Sequence, residues 1–298
     1  MQFLFYDKLR NVGRMQMKKI ELVFVYCLVA VFVSAFSWWP SATEQTPVHG
    51  NRYSQSFYAV KQEMLGKIYY DHQRTLYCNA EFNGRKQIKK PKGFRLPNIR
   101  NVDFKVYDIS EEELQNKATR MEWEHIVPAE NFGRTFTEWS KGHANCVSNK
   151  GKRFKGRSCA VQESEEFRYM YTDMYNLYPS IGAVNYLRAN FNFTQFNPND
   201  NIKNLFGSCK LKIYHNKVEP ADAVKGFIAR TYFYMERTYS RYKIGEPMRG
   251  ILRNWDKIYP ITDWECRRAY RIEKVQGNAN EDLKKKCTDM GLYKDSNR

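Results

Sequence analysis

A seven-residue run, Met121-Glu-Trp-Glu-His-Ile-Val127, constrains the fold more than any other stretch of this chain. It mixes aromatic and β-branched residues and is stopped at once by Pro128, so it reads as a strand leading into a turn. It also sets the carboxylate of Glu124 beside the imidazole of His125. On a regular strand neighbouring side chains point to opposite faces, so a bulge or turn would have to bring the two into one site. Around this strand the sequence is mostly helical. Apolar residues recur at helical spacing from Ser54 to Tyr69, and again from Glu163 to Asn176. Pro220 suits the first residue of a helix running to about Tyr239. Glu246 to Tyr259 reads as a helix stopped by Pro260, and Trp264 to Val275 as a third C-terminal helix, unusually basic. The expected class is α+β, mostly helical, with one domain over residues 43–298.

The N-terminus has the order of an export signal: Met17-Lys-Lys19, an apolar run from Ile20 to Phe36, and small residues at Ser34-Ala35 or Ser41-Ala42. A signal peptide over 1–35, or extending to 42, is expected. Residues 1–16 then form an extended charged region or an upstream misassigned start. An uncleaved anchor competes, because the run approaches the length of a membrane span. After cleavage no stable membrane association is expected, and the destination is periplasmic or secreted. Cysteine usage agrees with that. Cys27 falls within the signal, which leaves six: Cys78, Cys146, Cys159, Cys209, Cys266 and Cys287. Six cysteines allow 15 pairings. Local pairing of Cys146 with Cys159 and of Cys266 with Cys287 would leave Cys78–Cys209 as a long-range staple.

Charge points to the partner. The chain carries 49 Lys and Arg against 32 Asp and Glu, a net +17, which favours a polyanion whose phosphates release counterions on binding. No base-reading module is present, so contacts to the backbone are expected. Lys150, Lys152, Arg153 and Lys155 form one basic loop; Arg267, Arg268, Arg271 and Lys274 stud the last basic helix. A further basic loop runs from Arg85 to Arg95. A histidine able to take a proton, with a carboxylate and an amide oxygen for a hard cation, suffices for metal-assisted phosphodiester hydrolysis. Asn176 in Asp173-Met-Tyr-Asn-Leu-Tyr-Pro-Ser180 offers the amide beside a Pro-bounded turn. A zinc protease fits less well, because no second histidine completes HExxH.

Four ordered blocks resemble the endonuclease I family of periplasmic and secreted non-specific nucleases, of the ββα-metal (His-Me finger) class. They are Trp123-Glu-His-Ile-Val-Pro-Ala129; Asp173 to Gly182 with Val184-Asn185 and Arg188; Val218-Glu-Pro220 with Gly226 to Met235; and Trp255 to Cys266 through Val275-Gln-Gly-Asn278. The likeness covers roughly residues 54–288. It implies a ββα-metal core, His125 as general base, and Glu124 and Asn176 as ligands of one Mg²⁺, or Mn²⁺ or Ca²⁺ in the same place. It implies Arg157, in Gly156-Arg-Ser-Cys159, as the clamp on the scissile phosphate, with Arg153 as the alternative, and Arg188 among the residues holding nucleic acid. DNA and RNA would be cut to 5′-phosphate ends by a monomer. Two departures stand out: Ala183 replaces a common glutamate, and a single cysteine, Cys78, stands where relatives often have two. The alternative from another class is a non-catalytic, basic polyanion-binding protein on a nuclease-like scaffold.

Overall fold

A computed structural model describes residues 50–295, and the expected signal with Cys27 lies outside the described residues. The class is α+β: helices predominate, interleaved with three small sheets. α1 (Phe57–Glu63) runs on through a π-helical turn, Met64–Ile68. A short hairpin of β1 (Glu81–Phe82) and β2 (Ile88–Lys89) comes next, then α2 (Glu111–Lys117). β3 (Met121–His125) is the strand expected from its aromatic and β-branched residues. α3 (Ala129–Gly133) and α4 (Thr137–Ser140) follow. α5 (Arg157–Glu163), α6 (Glu165–Tyr171) and a 3-10 turn, Met174–Asn176, lead into β4 (Leu177–Ile181) and α7 (Gly182–Arg188).

The single helix expected over 163–176 is therefore broken twice, both times by a side chain that competes for backbone donors. Ser164 accepts from the Phe167 amide and restarts the chain as α6. Asp173 accepts from the Tyr175 amide and caps the 3-10 turn. Its carboxylate is also buried under the hydroxyls of Tyr234 and Tyr239 and the amide of Gln276. The Pro-bounded turn expected around Pro179 is instead a strand. β3 and β4 pair antiparallel in a two-stranded sheet, with Trp123 opposite Pro179. A proline is tolerated because a strand with one neighbour leaves an edge that needs no N–H; on that edge the Pro179 carbonyl accepts from Leu76.

The C-terminal half supplies most of the bulk. β5 (Asn192–Phe193), β6 (Lys212–Tyr214) and β7 (Lys217–Glu219) form a mixed sheet in the order β5-β7-β6. α8 (Asp222–Thr238) begins two residues after Pro220 and is buried almost throughout from Val224 to Met235. α9 (Glu246–Ile258), α10 (Asp263–Gln276) and α11 (Glu281–Asp289) close the fold. All three disulfides anticipated from local pairing are present: Cys78–Cys209, Cys146–Cys159 and Cys266–Cys287. The first closes the longest loop and removes the most freedom from the unfolded chain, a stabilisation of about 2–4 kcal/mol.

The basic helix α10 departs from its expected role. Arg268 and Arg271 face inward and are buried, so neither can reach a phosphate. Arg268 donates to the Tyr69 hydroxyl at 2.8 Å and to the carbonyls of Met174 and Leu177 at 2.7 and 2.8 Å, and stacks on Tyr178. Arg271 is held by Asp71, Asp295 and the Ile68 carbonyl. Arg267 pairs with Asp263 one turn away. Lys274 alone of the four is exposed, over the Tyr270 ring. The i, i+3 spacing of Arg268 and Arg271 puts them on one helix face, and packing chose that face for the interior. Replacing Arg268 with Ala is expected to cost about 3–5 kcal/mol, since it strands buried acceptors that only a fork-shaped donor serves. Urea denaturation would register the loss, and Arg268→Lys would recover little of it.

Candidate active site

The C-terminal end of β3 opens on a cavity of about 870 Å³, with Glu122, Glu124 and His125 on one wall and Asn185 and Arg188 of α7 on another. Strand alternation puts Glu122 and Glu124 on the same face. No bulge turns His125 toward them: the register is regular from Met121 opposite Ile181 to His125 opposite Leu177. The strand stops at His125 instead, and the cavity reaches around its end.

His125 is half-buried between two rings, with centroids at 4.7 Å from Tyr171 and 5.5 Å from Phe57. Its Nε2 lies 2.8 Å from the Tyr171 carbonyl at the end of α6. A carbonyl oxygen only accepts, so Nε2 carries the proton and Nδ1 keeps the free lone pair. Burial, with help from the charges of Arg157 and Arg188, lowers the imidazole to about 4. The ring is therefore neutral at physiological pH and has one basic nitrogen.

Glu124 is buried, and Oε1 accepts from the Tyr77 hydroxyl at 2.9 Å and pairs with Arg188 at 3.1 Å. Desolvation pushes its carboxyl up to about 7, against the pull of Arg188 and Tyr77. Arg188 also donates to the carbonyls of His125 and Ile126, at 3.0 and 2.8 Å. It is fully buried, so its expected contact with nucleic acid is corrected to an internal clamp over three consecutive residues. Asn176 is likewise corrected. Its Oδ1 accepts from the Val127 amide at 2.8 Å and its Nδ2 donates to the Val127 carbonyl at 2.9 Å, so the amide closes the turn after β3 and faces no ligand. The carboxamide that does line the cavity is Asn185, whose Nδ2 donates to Glu122 at 3.2 Å. Gly182 makes that approach possible: a Cβ there would sit 2.7 Å from the Lys117 carbonyl and 3.0 Å from the Glu122 carboxyl.

Arg157 opens α5, lies exposed on the cavity rim over the Tyr171 ring, and makes no ion pair among the described residues. Lys150, Lys152, Arg153 and Lys155 are exposed on the loop closed by Cys146–Cys159. The sequence reading missed Glu122, Tyr77 and Asn185. Period-two alternation from Glu124 was a signal for Glu122, and an amide inside the apolar run Ile181 to Leu187 was one for Asn185. Nothing local marked Tyr77, which is 47 residues from its partner.

Two carboxylates and a carboxamide around one cavity form a hard oxygen donor set that fits a divalent cation. Among the described residues no three His, Cys, Asp or Glu side chains group as a metal cage.

A carboxylate, an imidazole and a carboxamide around one cavity are the groups that metal-assisted phosphodiester hydrolysis uses. The Endonuclease I family model matches residues 56–285, and the chain belongs to that family. It is 34% identical over 247 residues to a periplasmic deoxyribonuclease of Aeromonas hydrophila, covering 81% of this chain and 90% of that protein. It is 35% identical over 235 residues to Endonuclease-1 of Buchnera aphidicola, covering 78% and 82%. An extracellular deoxyribonuclease of A. hydrophila is 34% identical over 246 residues, covering 81% and 93%. The chain is thus an endonuclease, of a metal-dependent family, and the non-catalytic alternative is set aside.

The two asparagines should separate experimentally. Asn185→Ala is expected to weaken Mg²⁺ binding at least about tenfold in calorimetry while leaving the melting temperature nearly unchanged. Asn176→Ala should leave the metal affinity of the folded protein intact and lose about 2–4 kcal/mol of stability, from two stranded backbone groups. The reverse pattern would return Asn176 to the ligand set.

Proposed function

We propose that this chain is a periplasmic or secreted non-specific endonuclease that hydrolyses phosphodiester bonds of DNA and of RNA, leaving 5′-phosphate ends. The observation that carries the reading is the orientation of His125. The Tyr171 carbonyl holds Nε2–H, so Nδ1 is left to take a proton from the attacking water. Burial keeps that nitrogen unprotonated at working pH. The stacked rings of Tyr171 and Phe57 fix the imidazole plane, so little reorganisation is needed when the proton moves.

Glu124 and Asn185, with Glu122 beside them, would hold one divalent ion, and Mg²⁺, Mn²⁺ or Ca²⁺ suits their oxygen donors. When bound, such an ion offsets charge on the phosphate oxygens and supplies an acidic water for the leaving group. Arg188 and Tyr77 keep the Glu124 carboxylate in place before any ligand arrives. Arg157, without an ion pair among the described residues and on the same rim as His125, is suited to clamp the scissile phosphate through its planar fork.

A periplasmic or extracellular destination is supported by the periplasmic and extracellular deoxyribonucleases among the relatives and by three disulfides, which persist in oxidising compartments. Among the described residues no helix is long and apolar enough to cross a membrane. Sequence-blind cutting would follow from exposed cations that contact the phosphate backbone rather than base edges. A domain spanning 43–298, acting as a monomer, completes the proposal.

Purified protein incubated with supercoiled plasmid is expected to nick and linearise it, and EDTA should stop the reaction. His125→Ala is expected to reduce cleavage by at least about a thousandfold while DNA binding by gel shift survives. Full cleavage by that variant would move the base elsewhere.

A further inference from the structure

The basic loop that begins at Arg85 has no part in the chemistry described so far, yet it forms one edge of the same cavity. Arg85 and Lys86 lie in the tight turn between β1 and β2 and line the opening together with Lys61 and Arg120. The turn is firmly built. The Asn83 side chain accepts from the amides of Arg85 and Gln87, both at 3.0 Å. The Lys86 amide donates to the Asn83 carbonyl, and the Lys86 carbonyl accepts from Met121, the first residue of β3, at 2.7 Å. Lys86 itself sits at a φ of 62°, in the left-handed region that a lysine rarely adopts. A non-glycine residue held there by its surroundings is a feature that clusters at ligand clamps.

Lys61 reaches the same edge from α1. Its ammonium lies 4.9 Å from the centroid of the Phe57 ring, and that ring stacks on His125. The ammonium is therefore two ring contacts from the basic nitrogen. Neither Lys61 nor Lys86 makes an ion pair among the described residues. Burial lowers the Lys86 ammonium, and the Lys61 charge lowers it further. Two like charges lining one cavity, neither of them in an ion pair among the described residues, repel, and an anion seated between them would relieve that. The contrast with α10 is direct, since three of its four cations are already matched by acids or by buried acceptors.

We propose that Lys61 and Lys86 together form a phosphate subsite on the cavity rim, which takes the backbone phosphate neighbouring the one attacked at His125. The proposal rests on the nuclease reading above. Consecutive phosphates on one strand advance by about 3.4 Å along a duplex axis, so a strand seated in the cavity that holds His125 would bring neighbouring phosphates past its rim, where this cation pair stands. Sharing one phosphate between two ammonium groups fixes the strand's register without reading a base. Arg85 and Arg120 flank the pair and continue the positive edge outward.

The test is binding of a fluorescein-labelled DNA duplex in EDTA, followed by anisotropy from about 50 to about 200 mM salt. Wild type, Lys61→Gln, Lys86→Gln, the double variant and Lys86→Arg are compared, with plasmid cleavage by the wild type in Mg²⁺ run alongside. Each glutamine variant is expected to bind about tenfold more weakly at low salt. The slope of log affinity against log salt should fall by about 0.9, and by no more in the double variant, because one phosphate is shared. Lys86→Arg keeps the charge on the same turn and should retain the wild-type slope. Wild-type affinity and slope in both single variants, with an active wild type, would overturn the subsite alone. So would a double variant whose slope falls twice as far. A wild type that neither binds nor cuts would sink the nuclease reading and the subsite with it.

Discussion

Arg188 and Glu124 form a buried ion pair, and the geometry of the site hangs on it. Taking either charge out of water costs several kcal/mol, and the pair recovers part of that through the contacts around it. Arg188 reaches the Glu124 carboxylate and the carbonyls of His125 and Ile126, and its guanidinium lies over the Phe193 ring. Tyr77 adds a hydroxyl to the same carboxylate oxygen. One side chain thus fixes Glu124, the backbone of His125, and the residue that follows them. The end of β3 cannot fray, although a strand end with one neighbour would ordinarily do so. Asn176 closes the next link by pinning both polar groups of Val127, so four successive residues are held in place.

The same logic runs through the helical half. Asp173 is buried under two tyrosine hydroxyls and a glutamine amide, and Arg268 under a tyrosine hydroxyl and two carbonyls. Both secure the 3-10 turn and the start of β4 to α8 and α10, which sets the height of β4 against β3. Buried polar groups that are fully satisfied specify one arrangement more sharply than apolar contacts do. The positive surplus is accordingly divided into two kinds. Arg188, Arg268 and Arg271 are internal fasteners, while Lys61, Lys86, Arg120 and Arg157 remain at the cavity edge, where an anion can use them. Counting charges along the chain treats these as equivalent, and their burial shows that they are not.

Much of the fold was legible because it depends on local chemistry. The strand at Met121, the helices after Pro220, Glu246 and Trp264, and all three disulfide pairings came from periodicity, punctuation and spacing. What failed did so where a side chain had two uses. Asn176 and Asn185 are both amides within one motif-rich stretch, and only the position of Val127 tells which is engaged and which is open. Basic residues on α10 looked like a nucleic-acid grip because helical spacing cannot say which face turns inward until the partner surface is known.

By itself, then, the sequence determined the class of fold, the adjacency of Glu124 and His125 at the end of β3 and the covalent staples, since each follows from neighbours along the chain and from side-chain type. Tertiary structure alone decided which nitrogen of His125 is basic, which asparagine faces the cavity and which cations are left over for a ligand. Those outcomes depend on contacts such as Tyr171 to His125 and Tyr77 to Glu124, made between residues 46 and 47 positions apart. Spacing in sequence carries no information about which lone pair such a contact consumes.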